Sequence, residues 1–200
     1  MPGFHHTMNT GRMEAFSDGV IAIIITIMVL ELKVPHGADL AALKLLIPPF
    51  LGYALSFIYV GIYWNNHHHM LHVCTEVTGS ILWANLNLLF WLSMFPVTTA
   101  WVGNNPNARA PSAAYGVVLL LAALSYWLLQ RTIIKAQGPG SLLRKAVGAD
   151  RKGRISPILY ALGVLLAFRS PPVSQGLYLL VALLWLIPDR RIEQILTKEE

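Results

Sequence analysis

Long apolar blocks alternate with short polar breaks along this chain. The first block covers about 13–34, where Met13-Glu-Ala-Phe-Ser-Asp-Gly-Val-Ile-Ala-Ile-Ile-Ile-Thr-Ile-Met-Val-Leu30 precedes the breakers Pro35 and Gly37. A bilayer core asks for about 20 apolar residues in a helix, and this block has that length. The second block, about 40–64, contains Pro48-Pro49. That pair predicts a kink or a restart, because proline lacks the backbone donor and clashes one turn back. A third block covers about 79–102, with Pro96 near its end, and a fourth about 112–134. The long polar stretch 135–154 holds Gly138-Pro139-Gly140 and a basic cluster, and predicts a loop with a short interfacial helix at 141–147. Two thinner blocks follow, about 155–168 and 173–187, parted by Arg169-Ser-Pro-Pro172. They read as two short spans in preference to one re-entrant hairpin. The expected fold is an all-α integral membrane protein, a single domain over residues 1–200 with six transmembrane helices.

Composition agrees. Of the 200 residues, 55% are hydrophobic and 12% charged, and that charged share is about half the soluble-domain norm. The net charge of +5 would raise nucleic-acid binding in a soluble protein. Here the basic residues fall between apolar blocks, with no exposed face interleaving them with aromatics, so they set orientation instead. On a six-span topology one side holds Arg12, Arg131, Lys135, Arg144, Lys145, Arg151, Lys152, Arg154, Arg190, Arg191 and Lys198. The other holds Lys33, Lys44, Arg109 and Arg169. The bias of eleven to four places both termini in the cytoplasm of a multi-pass protein of the cell (inner) membrane. Cys74, the single cysteine, excludes an internal disulfide. The first block is too long for a cleaved signal and lacks a small-residue cleavage site, so it is expected to remain as a span. Spans of unequal length and polarity give no internal repeat of the kind inverted-repeat transporters show.

The unusual chemistry lies in the first block. Charge inside a bilayer needs a partner or water, yet Asp18 stands about one and a half turns into the span. Ser17 and Asp18 would be ordinary if the helix began there, as caps. On a helical wheel Ile23, Thr26, Ile27 and Leu30 share one face within roughly 100°, and Asp18 falls on the opposite side. By itself that branched apolar face reads as packing or lipid contact. Spans 2 and 3 supply partners for the polar side: Tyr63-Trp64-Asn65-Asn66-His67-His68-His69 with His72 beyond, then Trp83, Asn85 and Asn87. Asparagine within a span usually bonds to a neighbouring helix, so Asp18 is expected to meet His67, His68 or Asn85. His68 and His72 have the i, i+4 spacing of zinc ligands, but only Cys74 and Glu76 stand near to complete a set. Histidines bonded to helix 1 are the better reading. No glycine-rich phosphate loop, HExxH or G-x-S-x-G occurs, so no catalytic residue is assigned and no enzyme is expected.

These residues carry a resemblance. Arg12-x-x-x-Phe16-Ser17-Asp18 resembles the R-x-x-x-F-S-D signature of the lysosomal potassium-channel family (transmembrane protein 175) and its bacterial relatives. Trp64-Asn-Asn-His67-His68 resembles the family's W-x-x-H-H, and Leu82-Trp83-Ala-Asn85-Leu with Phe95-Pro96-Val-Thr-Thr resembles its third span. The likeness covers about 12–103. It implies a homotetramer with four copies of helix 1 around a central pore, and no potassium filter loop. It implies a hydrophobic constriction at Ile23, five residues after Asp18, followed by pore-facing Thr26, Ile27 and Leu30. Arg12, Phe16, Ser17 and Asp18 would be structural, with Trp64, His67, His68, Trp83 and Asn85 as their partners on helices 2 and 3. Ala22 departs from relatives that carry serine there, which removes a second polar layer.

The expected function is a leak-type channel for K⁺ and other monovalent cations. It would need no cofactor and would discriminate modestly against Na⁺, since hydroxyls on a helix select less sharply than fixed carbonyl rings. Competing readings are a proton or small-cation pathway through Asp18 and the histidines, and a non-channel membrane sensor or enzyme built on the histidine run.

Overall fold

The computed structural model describes residues 10–35, 37–148 and 150–186, and within them the chain is helical. The expected positions of Arg190, Arg191, Lys198 and the end of the sixth block lie outside the described residues. Helix α1 covers Thr10–Leu30, α2 Ile47–His72, α3 Gly79–Ser93, α4 Phe95–Asn104 and α5 Arg109–Gln137. Helices α6 (Leu142–Val147), α7 (Arg151–Ala167) and α8 (Pro171–Leu186) follow.

The boundaries follow local chemistry. Pro48 and Pro49 fall in the first turn of α2, where the missing N–H costs nothing, and a 3₁₀ turn over Leu40–Leu46 leads in. The pair therefore restarts the helix. The apolar block ends at Trp64, but α2 runs on to His72. The segment Asn65–His72 holds no breaker, and its polar side chains find partners on α1 and α3, so a span expected to stop at 64 gains two turns. Pro96 divides the third block into α3 and α4. Ser141 caps α6 by accepting from the Arg144 N–H, which makes the expected short helix in the polar stretch. Asp150, at φ 31°, caps α7 through the Gly153 N–H, four residues before the predicted start.

α1 packs against α2, α3 and α4; α5 packs against α3 and α7; α7 pairs with α8. Hydrogen bonds pin the ends of these helices together. Thr10 Oγ1 donates to Cys74 O at 3.4 Å, and Gln137 Nε2 to Val73 O at 2.5 Å. The start of α1, the end of α2 and the end of α5 therefore meet at one end of the bundle. Trp185 Nε1 donates to Ser156 Oγ at 2.8 Å, joining the end of α8 to the start of α7. At the opposite end Gln175 Nε2 reaches Pro106 O (2.6 Å) and Ser112 Oγ (2.9 Å).

Where α2, α4, α5, α7 and α8 meet lies an aromatic core of Tyr59, Tyr115, Tyr160 and Tyr178 with Phe95. Their hydroxyls must be satisfied away from water. Tyr59 donates to Tyr178 O at 2.5 Å, Tyr178 to Ser112 O at 3.3 Å, and Tyr115 shares a 2.9 Å bond with Ser56. Gly116 and Gly163 make room for Tyr178, since a Cβ on either would overlap its ring or hydroxyl.

Among the described residues, four helical stretches are long and apolar enough to cross a membrane: Thr10–Leu30, Leu40–His72, Gly79–Asn104 and Arg109–Gly140. Pro171–Leu186 is a shorter apolar helix.

Candidate functional site

Helix α1 has two unlike faces. Met13, Ser17, Ile21, Ile24 and Met28 are buried against its neighbours. On the other side lie Arg12, Phe16, Ile23, Thr26, Ile27 and Leu30, all exposed. Ile23 is 58% exposed and Leu30 79%.

On the buried face three helices are tied through a chain of polar groups. Ser17 Oγ donates back to Met13 O at 2.8 Å, and Asn85 Nδ2 of α3 donates to Ser17 Oγ at 2.9 Å. Asn85 Oδ1 lies 2.8 Å from His67 Nε2 of α2. With its amide nitrogen committed to Ser17, Asn85 offers only an acceptor to the imidazole. His67 therefore carries its proton on Nε2, and its Nδ1 is a buried nitrogen without a partner among the described residues. Every donor in this chain points the same way, and the chain ends on a backbone carbonyl.

A second ladder runs along the edge of the α1–α2 contact. Trp64 Nε1 donates to Asp18 Oδ1 at 3.0 Å, and His68 Nδ1 lies 2.8 Å from Glu14 Oε1. Glu14 and Asp18 stand at i, i+4 on α1, and Trp64 and His68 at i, i+4 on α2. Antiparallel packing brings the two pairs into register. The Trp64 and His68 rings stack at 6.2 Å.

The expectation that Asp18 meets His67, His68 or Asn85 is thus corrected: its partner is an indole N–H. The reading of Ser17 as a helix cap also fails, because α1 begins at Thr10, almost two turns earlier. Glu14 escaped attention in the sequence, although its spacing from Asp18 against the Trp64–His68 spacing was the available signal. Arg12, Phe16 and Trp83 do not join the cluster. All three are exposed, Trp83 to 75%, and Arg12 makes no side-chain bond among the described residues.

Among the described residues no group of three or more His, Cys, Asp or Glu side chains converges to hold a metal ion. His68 and His72 stack at 6.3 Å, with His68 turned to Glu14. Cys74 is buried near the helix ends, its thiol bonded to Glu76 O at 3.3 Å and its pKa raised by burial.

On the exposed face, Thr26 Oγ1 donates to Ile23 O at 2.8 Å. The hydroxyl proton is thereby turned into the helix, and the oxygen lone pairs face outward.

The chain is similar to known channel proteins in sequence and in fold. Residues 12–96 match the family model described as endosomal/lysosomal potassium channel TMEM175. A potassium channel of Chryseobacterium sp. (strain P1-3) is 54% identical over 94% of this chain and 98% of its own length. A potassium channel of Streptomyces collinus is 33% identical over 87% of this chain and 90% of its own. The human endosomal/lysosomal proton channel TMEM175 is 37% identical over 43% of this chain, a stretch that is 20% of the human protein. In structure, the chain superposes on the crystal structure of a lysosomal potassium-selective channel TMEM175 homologue from Chamaesiphon minutus with a TM-score of 0.80. That match is 28% identical and covers 90% of this chain and 97% of the other.

Proposed function

Because this chain belongs to the endosomal/lysosomal potassium channel TMEM175 family, and is a multi-pass membrane cation channel and not an enzyme, we propose that four copies assemble with α1 innermost. The row Ile23, Thr26, Ile27 and Leu30 then faces the axis. The observation that carries this reading is the division of α1. Its buried face is fastened by Ser17 to α3 and, beside it, by Asp18 and Glu14 to α2, while large apolar side chains and one hydroxyl stand exposed opposite. Lipid would accept the isoleucines but gives no use to Thr26. Phe16, one heptad before Ile23, and Trp83 supply further exposed apolar surface for a tetramer to cover.

A ring of four Ile23 side chains narrows the axis and excludes water, so ions cross against a dewetting barrier. The Thr26 ring, one turn on, offers outward oxygens to a partly dehydrated cation. Hydroxyls on a helix are a yielding ligand set, which supports modest preference for K⁺ over Na⁺. Leak-type K⁺ conductance without a cofactor is the reading that asks least of this arrangement. Six spans, α1, α2, α3–α4, α5, α7 and α8, draw support from the hydrogen bonds that join their ends alternately. With 17 and 16 residues, α7 and α8 are roughly 25 Å long and cross by local thinning of the bilayer. The lysine and arginine bias then puts both termini in the cytoplasm of the inner membrane.

A second reading, proton conduction through Asp18 and the histidines, draws on the proton-channel name of the animal relatives. Two contacts weigh against it. Asp18 is held by Trp64, and the chain from His67 ends on the Met13 carbonyl instead of opening onto the exposed face.

The test is K⁺ and Na⁺ flux into liposomes holding the purified protein, with Ile23→Asn and His68→Ala beside it. A pore on α1 predicts faster flux in Ile23→Asn and surviving flux in His68→Ala. Unchanged flux in Ile23→Asn would remove α1 from the pore. Abolished flux in His68→Ala, in protein that still folds, would favour the relay.

A further inference from the structure

Away from α1, a pocket of about 540 Å³ opens where α5 ends, α6 lies across and α7 begins. Arg131 and Lys135 of α5, Arg144 of α6 and Arg154 of α7 stand around it, against the single carboxylate of Asp150. That carboxylate is already engaged in capping α7 through the Gly153 N–H. None of the four cations forms a salt bridge among the described residues, and all are exposed. Arg131 lies over the Trp127 ring, 4.5 Å from its centre, which fixes one cation in place.

Two features separate this pocket from an ordinary solvated charge patch. It is concave and gathered from three helices, whereas Lys33, Lys44, Arg109 and Arg169 are scattered. It also continues into an apolar face. Leu124 and Trp127 precede Arg131 on the same side of α5 and are 42% and 41% exposed, and Ile155 and Ile158 of α7 are exposed beside Arg154. Tryptophan under a guanidinium at the end of a membrane helix marks the headgroup level.

We infer that this pocket binds the headgroup phosphate of an anionic phospholipid, with the acyl chains lying along the exposed apolar side of α5. Phosphate oxygens suit a fork of arginines, and basic pockets between membrane helices take such headgroups. Arg144 of α6 and Arg154 of α7 bring guanidinium groups to the pocket from two different helices. The site is independent of the pore, so its failure leaves the channel reading untouched.

The experiment uses the full chain in detergent. Its Tm and its lipid retention in native mass spectra are followed on adding phosphatidylglycerol, phosphatidylcholine or inorganic phosphate at fixed ionic strength. Wild type should gain Tm and retain lipid with phosphatidylglycerol alone. The Arg144→Gln/Arg154→Gln variant should lose that increment, with apparent affinity falling about fivefold for each charge removed. Arg144→Lys/Arg154→Lys should keep most of it, and so should Lys33→Gln/Lys44→Gln, which removes equal charge elsewhere. Equal increments from phosphatidylcholine, or an increment from phosphate alone, would overturn a lipid site. So would a full increment in Arg144→Gln/Arg154→Gln, or its loss in Lys33→Gln/Lys44→Gln.

Discussion

The two faces of α1 share one backbone and nearly one composition, yet they face different tasks. On the buried side Ile21, Ile24 and Met28 pack among neighbouring helices, and the lone polar group, Ser17, is fully satisfied. On the exposed side Ile23, Ile27 and Leu30 stand 58%, 43% and 79% exposed, and Thr26 turns its oxygen outward. Isoleucine itself does not distinguish the faces. The polar partner does: a hydroxyl locked to another helix marks the packed side, and a hydroxyl satisfied within its own turn marks the side left for something else. In a bilayer, apolar contact alone gives little preference between helix and lipid, so polar pairs decide which way a helix is turned.

The largest effect is expected from unlocking the buried face. Asn85→Ala leaves both Ser17 and His67 without their shared partner. Buried groups stranded in this way, moderated by the partners a membrane chain finds when loosened, cost about 2 kcal/mol. A lowered unfolding midpoint in detergent is the readout; an unchanged midpoint would show that the chain does not hold the three helices. The exposed face should respond in the opposite manner. Ile23→Asn alters a side chain that touches little in the protomer, so stability should hold while K⁺ flux rises. Loss of about 1.4 kcal/mol from a dewetting barrier corresponds to roughly tenfold in rate. A destabilised Ile23→Asn would mean that the residue packs against something other than a water-filled axis.

Trp64→Phe probes the edge between the faces. It keeps an aromatic ring against His68 but removes the N–H that serves Asp18. Asp18 is half-buried and can take up water, so the expected cost is about 1 kcal/mol in the unfolding midpoint. No change would mean that Asp18 is solvated and the indole merely adjacent.

Much of α1 was legible before any coordinates, because a polar residue inside an apolar block is a strong mark and the wheel separates its sides. The signature residues pointed to contacts with helices 2 and 3, and Ser17, His67 and Asn85 do meet. The pairing of Asp18 was not legible. Both histidine and tryptophan can donate to a carboxylate, and the choice between them rests on the register of α1 against α2, which chemistry alone does not fix. The extent of α2 was hidden for a related reason. Asn65–His72 looks like a polar exit from the membrane until Glu14, Ser17 and Asn85 are seen to absorb part of it. The aromatic core was hidden more deeply. Tyr115, Tyr160 and Tyr178 sit in apolar blocks with no period of their own, and Gly116 and Gly163 reveal their purpose only when Tyr178 lies between them.

Thr26→Val is the mildest change and the most direct test of the outward oxygen. Valine keeps the shape and the β-branch, so α1 should fold and assemble as before. The Thr26 hydroxyl donates to a carbonyl one turn back in its own helix, a bond that threonine makes readily and that adds little to stability. Its removal should barely move the unfolding midpoint. On the proposed pore, what disappears is a ring of lone pairs next to an Ile23 constriction. There, a cation that has shed part of its shell to pass Ile23 then meets methyl groups, and the oxygens that repaid K⁺ more fully than Na⁺ for its lost water are gone. The K⁺/Na⁺ flux ratio should fall, roughly twofold for a change of about 0.4 kcal/mol in relative barrier, while total flux also declines. Should the ratio stay fixed with total flux reduced, Thr26 wets the pore without choosing between ions, and selectivity must come from groups elsewhere along the axis.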